Sequence, residues 1–184
     1  MRRIGLLGGS FNPAHSGHRH VAEVALRAAR LDQVWLLVSP GNPLKPRAGM
    51  APFRERLASA RRIADGVRIV ACDLESRLGT RHTVRTLARL RRRFPRLLFV
   101  LVIGADNMIQ LPRWRRWREV LRLAPLAVLP RPGYTRRALR GPVASVLRHG
   151  RRPPALLRQG GEWALVPAAE RSISATAIRS GALG

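Results

Sequence analysis

The sequence predicts an α/β fold, in which one doubly wound domain is built on a mainly parallel sheet. Short apolar runs alternate with amphipathic helical patterns along the 184 residues, as expected for successive βα units. Residues 97–103 form the most apolar run, which is typical of a central strand covered on both faces. Because neither a repeat nor a linker interrupts this alternation, we expect residues 1–184 to form a single domain.

Six apolar runs are predicted to be strands. They cover residues 4–8, 33–39, 67–71, 97–103, 126–129 and 163–166. Gly8-Gly9 closes the first run, because glycine weakens a strand and favours a turn. In open parallel sheets, ligands bind outside the carboxyl ends of the strands. We therefore expect functional residues after Gly8, after Ser39, near Gly104 and near Arg131.

Helical patterns occupy the segments between the strands. They cover residues 18–29, 53–64, 83–94, the region near 118–123, and residues 174–179. In the first of these helices Val21, Val24 and Ala28 share one face. Pro52 stands at the start of the second, where a helix tolerates proline. Residues 131–154 are rich in Arg, Pro and Gly, and we predict them to be the least regular part of the chain.

The chain is strongly basic, with a formal net charge of +25 from 35 basic and 10 acidic residues. Such a balance raises nucleic acid as a possible partner. Lys45 is the only lysine, however, and the almost exclusive use of arginine indicates a codon bias acting on an ordinary surface. We therefore interpret the arginines as a solvated surface rather than a nucleic-acid site. Lys45 is then conspicuous as the position that has resisted replacement.

Cysteine content and hydropathy indicate the compartment. Cys72 is the only cysteine, which excludes an internal disulfide and is typical of a reducing cytosol. No run of about eighteen apolar residues is free of charge, so no membrane-spanning helix is predicted. We expect a cytoplasmic protein without a membrane partner, and the sequence carries no signal for a particular oligomeric state.

A segment rich in glycine and histidine follows the first predicted strand, where residues 8–18 read Gly-Gly-Ser-Phe-Asn-Pro-Ala-His-Ser-Gly-His. The two glycines allow a tight turn and a close approach of the backbone to a ligand. Free N–H groups in such a turn, next to a helix start, form an anion site. His15 and His18 are three residues apart and project from the same side if that turn is helical. Two imidazoles beside a positive helix end suit phosphate better than a cation.

Other interpretations of this segment have less support. The Gly-x-Gly-x-x-Gly fingerprint and the Gly-x-x-x-x-Gly-Lys-Ser/Thr loop are both absent from it. A zinc site would need a third ligand, and no Cys or Glu stands at a suitable spacing, so no metal site is predicted. Two incidental polar histidines in a loop are the structural alternative. The position of the pair, after a glycine turn and a buried strand, favours a functional role.

Two segments together indicate a family. Residues 8–18 resemble the phosphate-binding signature of the nucleotidylyltransferase superfamily, Gly-x-Phe-Asp-x-x-His-x-Gly-His. Residues 173–179, Ile-Ser-Ala-Thr-Ala-Ile-Arg, resemble its Ile-Ser-Ser-Thr-x-Ile-Arg motif. The resemblance implies a Rossmann-like nucleotidylyltransferase domain. Asn12 stands where the superfamily pattern has Asp, and because an amide can still cap and hydrogen-bond there, we expect the geometry of the turn to survive.

The middle of the chain is similar to one member of that superfamily, nicotinate-mononucleotide adenylyltransferase. The similarity is carried by residues 101–108, Leu-Val-Ile-Gly-Ala-Asp-Asn-Met, by Trp114 and Trp117, and by residues 43–45, 80–87 and 131–134. It implies transfer of AMP from ATP to nicotinate mononucleotide, giving deamido-NAD and pyrophosphate in NAD biosynthesis. One alternative is a sister enzyme acting on nicotinamide mononucleotide or phosphopantetheine. Another is a basic nucleic-acid-binding protein on the same scaffold.

The resemblance also implies roles for individual residues. Catalytic roles are expected for His15, His18, Lys45 and Arg179. His18 should contact the α-phosphate with His15 beside it, Lys45 should reach the reacting phosphates, and Arg179 should hold the β- and γ-phosphates. Contacts with ATP are expected from Gly8, Ser10, Phe11, Gly104, Asp106, Ser174 and Thr176, with Asp106 on a ribose. Contacts with the acceptor are expected from Thr83, from Trp114 stacked on the pyridine ring, and from Arg131 at the phosphate. Mg²⁺ would arrive with ATP, held mainly by phosphates and water.

Overall fold

The sheet of this protein is parallel throughout. The computed structural model describes residues 1–41 and 48–168, and within them six strands form one sheet. The strands are β1 (Arg2–Gly9), β2 (Gln33–Val38), β3 (Ile69–Cys72), β4 (Leu97–Gly104), β5 (Leu126–Leu129) and β6 (Trp163–Leu165). Their order is β3-β2-β1-β4-β5-β6, and every neighbouring pair is parallel. All six predicted strands are confirmed, each within two residues of its predicted bounds.

Helices connect the strands and cover both faces of the sheet. They are α1 (Ser16–Ala28), α2 (Phe53–Ile63), α3 (Leu74–Arg77), α4 (Thr83–Arg93), α5 (Ala105–Gln110), α6 (Trp117–Leu123), α7 (Thr135–Leu139) and α8 (Pro142–Val146). The four predicted helices that lie in the described ranges are confirmed, whereas the one at 174–179 lies outside them. None of the helices in 1–41 and 48–168 is both long and apolar enough to cross a membrane.

The region at 131–154 is more regular than the sequence predicts. It contains α7 and α8, so the expectation of a largely irregular segment is wrong for these ten residues. Pro142 is accommodated because it occupies the first turn of α8. Val143 and Ala144 of α8, and Leu147 just after it, are buried in the core. Tertiary packing therefore stabilises helices that are too short to form alone.

Alternation along β4 shows how the sheet is covered. Phe99, Leu101 and Ile103 face one apolar core, which is closed by α4, α5 and α6 together with α7 and α8. Val100 and Val102 face the other core, which is closed by α1 and α2. The prediction of a central strand covered on both faces is confirmed.

A crevice opens at the carboxyl edge of the sheet between β1 and β4. The two strands pair only as far as Leu6, which lies opposite Leu101. Beyond that point β1 continues to pair with β2 as far as Gly9, and β4 continues to pair with β5 as far as Gly104. The strand order also reverses here, because β2 and β3 lie on one side of β1, and β4 to β6 lie on the other. Such a topological switch point is where doubly wound sheets bind ligands.

Candidate active site

The two histidines of the glycine-rich segment form the N-terminal cap of α1. The Nδ1 atom of His15 accepts a hydrogen bond from the backbone N–H of Gly17, at 3.1 Å. The backbone N–H of His15 donates in turn to Nδ1 of His18, at 3.3 Å. This reciprocal arrangement is a capping box in which imidazoles replace the usual hydroxyl and carboxylate. It explains why α1 begins at Ser16, two residues before the predicted start.

The cap determines which nitrogen of each ring carries the proton. The two rings are in contact, with centroids 3.9 Å apart, and His18 also contacts the ring of Phe11. Because both Nδ1 atoms accept hydrogen bonds, each neutral ring carries its proton on Nε2, at the edge away from the helix backbone. Burial, assisted by the positive charge of Arg131, lowers the pKa of His15 and keeps this ring neutral at physiological pH. The pair therefore presents two N–H donors, which suit the oxygens of a phosphate.

The loop after β1 has donors of its own. The carbonyl of Gly9 accepts from the N–H of Ser39 on the β2 side, at 3.0 Å. In a planar trans peptide the next N–H points the opposite way, so that of Ser10 is directed toward β4 and the crevice. Neither this N–H nor that of Phe11 has a hydrogen-bond partner within the described ranges, and the Ser10 hydroxyl is buried there without one. Unpaired buried donors of this kind indicate a ligand.

Asn12 ties this loop to the residues that precede α2. Its side-chain amide donates from Nδ2 to the carbonyl of Gly49, at 2.8 Å, and accepts at Oδ1 from the N–H of Ala51, at 3.0 Å. A carboxylate could make the second bond but not the first, because it has no donor. The asparagine in place of the superfamily's aspartate therefore serves a bridge that needs both a donor and an acceptor.

A cavity of about 380 Å³ occupies the crevice. It brings together four of the predicted site residues from three distant parts of the chain, namely Gly8, Ser10, Thr83 and Trp114. Its remaining polar walls are formed by Ser39, Glu75, Arg81, His82, Thr86, Asn107, Gln110, Arg113 and Arg115. Thr83 is the first residue of α4, and no side chain caps that helix. The free N–H groups at its start make this wall of the cavity suitable for an anion.

Gly104, Asp106 and Arg131 form a separate group beside the histidines. Nε of Arg131 lies 3.9 Å from Oδ1 of Asp106, and a Cβ on Gly104 would overlap that same oxygen. This buried oxygen accepts no hydrogen bond from the described residues, which leaves it available to a ligand hydroxyl. Arg131 is the residue whose charge lowers the pKa of His15, and it does not line the Trp114 cavity. The structure therefore associates it with His15 and Asp106 rather than with Trp114 and Thr83.

Four predicted site residues, Lys45, Ser174, Thr176 and Arg179, lie outside the described residues.

The sequence analysis did not single out two residues of α2 that hold the loop after β1. The hydroxyl of Ser59 accepts from the N–H of Ala14, at 3.0 Å, and Arg56 donates to the carbonyl of Ser10, at 2.8 Å. The sequence did contain one signal for Arg56, because a charged residue within the apolar stripe of a predicted helix indicates a specific buried role.

The parallel sheet, its switch point and the donor-lined crevice define an α/β nucleotide-binding protein of the Rossmann-like class. The sequence model of the family described as cytidylyltransferase-like matches residues 6–181. The chain is 63% identical to a probable nicotinate-nucleotide adenylyltransferase of Gluconobacter oxydans, over 96% of this chain and 93% of that one. A second protein with the same description, from Gluconacetobacter diazotrophicus, is 55% identical over 98% of this chain and 86% of its own. The chain belongs to the nicotinate-nucleotide adenylyltransferase family.

Solved structures agree with the fold. That of the Plasmodium falciparum nicotinic acid mononucleotide adenylyltransferase complexed with NaAD superposes with a TM-score of 0.75 at 17% identity, covering 98% of this chain and 83% of that one. The predicted Rossmann-like fold and the family resemblance drawn from the motifs are both confirmed.

Proposed function

We propose that this chain transfers AMP from ATP to nicotinate mononucleotide, forming deamido-NAD and pyrophosphate. One observation carries the proposal: the loop after β1 joins a group of phosphate donors to a cavity that suits an aromatic anion, because Ser10 of this loop lines that cavity. The donors are the N–H of Ser10 and the paired rings of His15 and His18, which follow in the same loop and do not line the cavity. Trp114 and Thr83 form the opposite wall of the cavity. The names of the family's curated members support the same reaction.

In the proposed reaction, a phosphate oxygen of the mononucleotide attacks the α-phosphorus of ATP. A new P–O bond forms, the bond to the β-phosphate oxygen breaks, and pyrophosphate leaves with the electron pair. The attacking phosphate is ionised at neutral pH, so no general base is required. The work left to the protein is alignment of two anions and neutralisation of the charge at the α-phosphate. The Nε2–H groups of the two imidazoles suit this task, because they donate hydrogen bonds without needing to release a proton.

The acceptor is proposed to lie with its pyridine ring on Trp114 and its carboxylate at the start of α4. The uncapped N–H groups near Thr83 lie at the positive end of that helix, which favours a carboxylate over a neutral amide. Arg81, Arg113 and Arg115 add positive charge to the same cavity. This wall supports the acid as substrate rather than nicotinamide mononucleotide.

Mg²⁺ belongs to the proposal as a companion of ATP. Besides the carboxylate of Asp106, the groups near the loop are N–H donors and Arg131, and the described residues include no cluster of three or more metal-ligating side chains. We therefore expect the phosphates and water to hold the ion, which would add to charge neutralisation at the triphosphate. A cytoplasmic location is also proposed, on the basis of the single free Cys72 and the ATP substrate.

The test is pyrophosphate release by the purified full-length chain with ATP and each of three acceptors. Nicotinate mononucleotide should support the highest kcat/KM, with the amide at least tenfold lower and phosphopantetheine inactive. Release with the amide at an equal or higher kcat/KM would refute the assignment of the acid. An absence of release with all three acceptors would refute the enzyme itself.

A further inference from the structure

Arg56 differs from the other arginines that the structure describes, because it alone is buried, with 3% of its surface exposed. It occupies the apolar stripe of α2, between Phe53 and Ala60. A codon bias explains arginine on a solvated surface, where any polar residue is tolerated. It does not explain a charge in the core, where loss of hydration is expensive.

All the hydrogen bonds found for Arg56 join it to main-chain carbonyls. Nη1 donates to the carbonyls of Ser10 and Ser39, both at 2.8 Å, and Nε donates to that of Ala51, at 2.9 Å. The guanidinium also lies over the ring of Phe53, 5.5 Å from its centre. Among residues 1–41 and 48–168 no carboxylate lies within 4.0 Å of it. Burial lowers the pKa of Arg56, yet guanidinium groups remain charged in proteins. Within the part of the chain that the structure describes, Arg56 is therefore a buried cation with hydrogen-bond partners but no counter-charge.

This cation lies at the carboxyl edge of the sheet. Ser10 and Ser39 immediately follow β1 and β2, at the edge of the sheet where the crevice opens. Because Arg56 holds the carbonyl of Ser10, the N–H of Phe11 in the same planar peptide points away from α2. The guanidinium thus binds the carbonyl side of the same peptide group whose N–H, that of Phe11, is one of the donors of the anion site. A neutral amide side chain could satisfy carbonyls at this place without the cost of a buried charge.

We propose that Arg56 is a positioning residue for the triphosphate of ATP, holding the loop at Ser10 in its donor-outward geometry and supplying a buried positive charge that the bound phosphates neutralise. This inference rests on the ATP site of the proposed function. It predicts that Arg56 contributes to binding of the phosphates and not to binding of the nucleoside.

The experiment compares the affinities of ATP and adenosine for the full-length chain, by calorimetric titration of ATP and by competition for adenosine. Arg56→Gln removes the charge and keeps a side-chain donor, whereas Arg56→Lys keeps the charge. Arg54→Gln is the matched control, because Arg54 lies on the same helix and is exposed. We expect Arg56→Gln to weaken ATP binding at least tenfold and adenosine binding less than twofold. Arg56→Lys should keep the ratio of the two affinities within threefold of wild type, and Arg54→Gln should leave it unchanged.

Three results would overturn the inference: equal losses for ATP and adenosine in Arg56→Gln, wild-type affinity in that variant, or a tenfold fall of the ratio in Arg56→Lys. If Arg56→Gln does not fold, the ratio of ATP affinity to adenosine affinity in Arg56→Lys tests the inference. Failure of the wild-type chain to bind ATP would instead refute the proposed function. Wild-type ATP binding with unaffected Arg56 variants would refute this inference alone.

Discussion

Replacing Gly8 by alanine would place a methyl group in the crevice, clear of the described side chains and backbone. Among residues 1–41 and 48–168 no heavy atom beyond the chain neighbours lies within 4 Å of a Cβ built at this position, and the backbone of Gly8 is not in the left-handed region. Alanine also reduces the freedom of the unfolded chain. The free energy of unfolding should therefore change by less than about 1 kcal/mol, in the stabilising direction if at all.

The effect of this methyl group on a ligand should be much larger. Gly8 lines the crevice two residues before Ser10, whose N–H has no partner among the described residues, so a phosphate bound there approaches the backbone closely. Displacement of the phosphate would weaken at least one hydrogen bond to a charged group, which is worth roughly 1.5–3 kcal/mol. ATP binding should therefore weaken about 10- to 100-fold.

Gly9→Ala is the natural control. A Cβ on Gly9 would lie 3.2 Å from the ring of Phe11, which is 2% exposed and packs against His18. Phe11 also holds a left-handed φ of 48°, so its ring has little freedom to yield. Such overpacking should lower the free energy of unfolding by about 1–3 kcal/mol. Denaturant unfolding and ATP titration of both variants separate the two effects. Wild-type ATP affinity in Gly8→Ala, or a loss of stability equal to that of Gly9→Ala, would refute the location of the phosphate site.

Three further substitutions test individual side chains. His18→Ala should lower kcat about 10²-fold, because it removes a donor at the reacting phosphate, and near-normal turnover in a folded variant would exclude His18 from the reaction. Trp114→Ala should raise the KM for nicotinate mononucleotide far more than the KM for ATP, and equal increases would indicate a packing role. Asn12→Asp should lower the free energy of unfolding at pH 7 by about 1–3 kcal/mol, because the new carboxylate cannot donate to Gly49. Burial should raise the pKa of that carboxyl, so the penalty should be absent below about pH 4 and grow as the pH rises through the raised pKa. Urea unfolding at pH 4 and pH 7 measures this difference, and a penalty independent of pH would contradict the bridge.

Short-range signals were sufficient for much of the fold. The strand at 126–129 matches its prediction at both ends, because an apolar run bounded by Pro125 and Pro130 leaves little choice. The helix at 53–64 starts at the predicted residue for a similar reason, since Pro52 favours a helix start, and the structure places it at the N-cap. The phosphate loop was also recognisable, because a glycine turn, a helix cap and paired histidines all lie within eleven consecutive residues. Each of these features depends on neighbours along the chain.

Features that depend on distant neighbours required the tertiary structure. Nothing near position 56 shows that its guanidinium reaches carbonyls at the ends of two different strands. In the same way, nothing near position 131 shows that Arg131 lies beside Asp106 and His15 rather than in the cavity of Trp114, and its contact with the acceptor phosphate stays a prediction. The amino-acid sequence by itself determined the strands, the main helices and the chemistry of the loop, because backbone propensity and apolar periodicity act over a few residues. Only the tertiary structure decided where the crevice opens and what lines it, because the order and register of the strands arise from packing between segments that are far apart along the chain, as where Arg2 lies opposite Leu97.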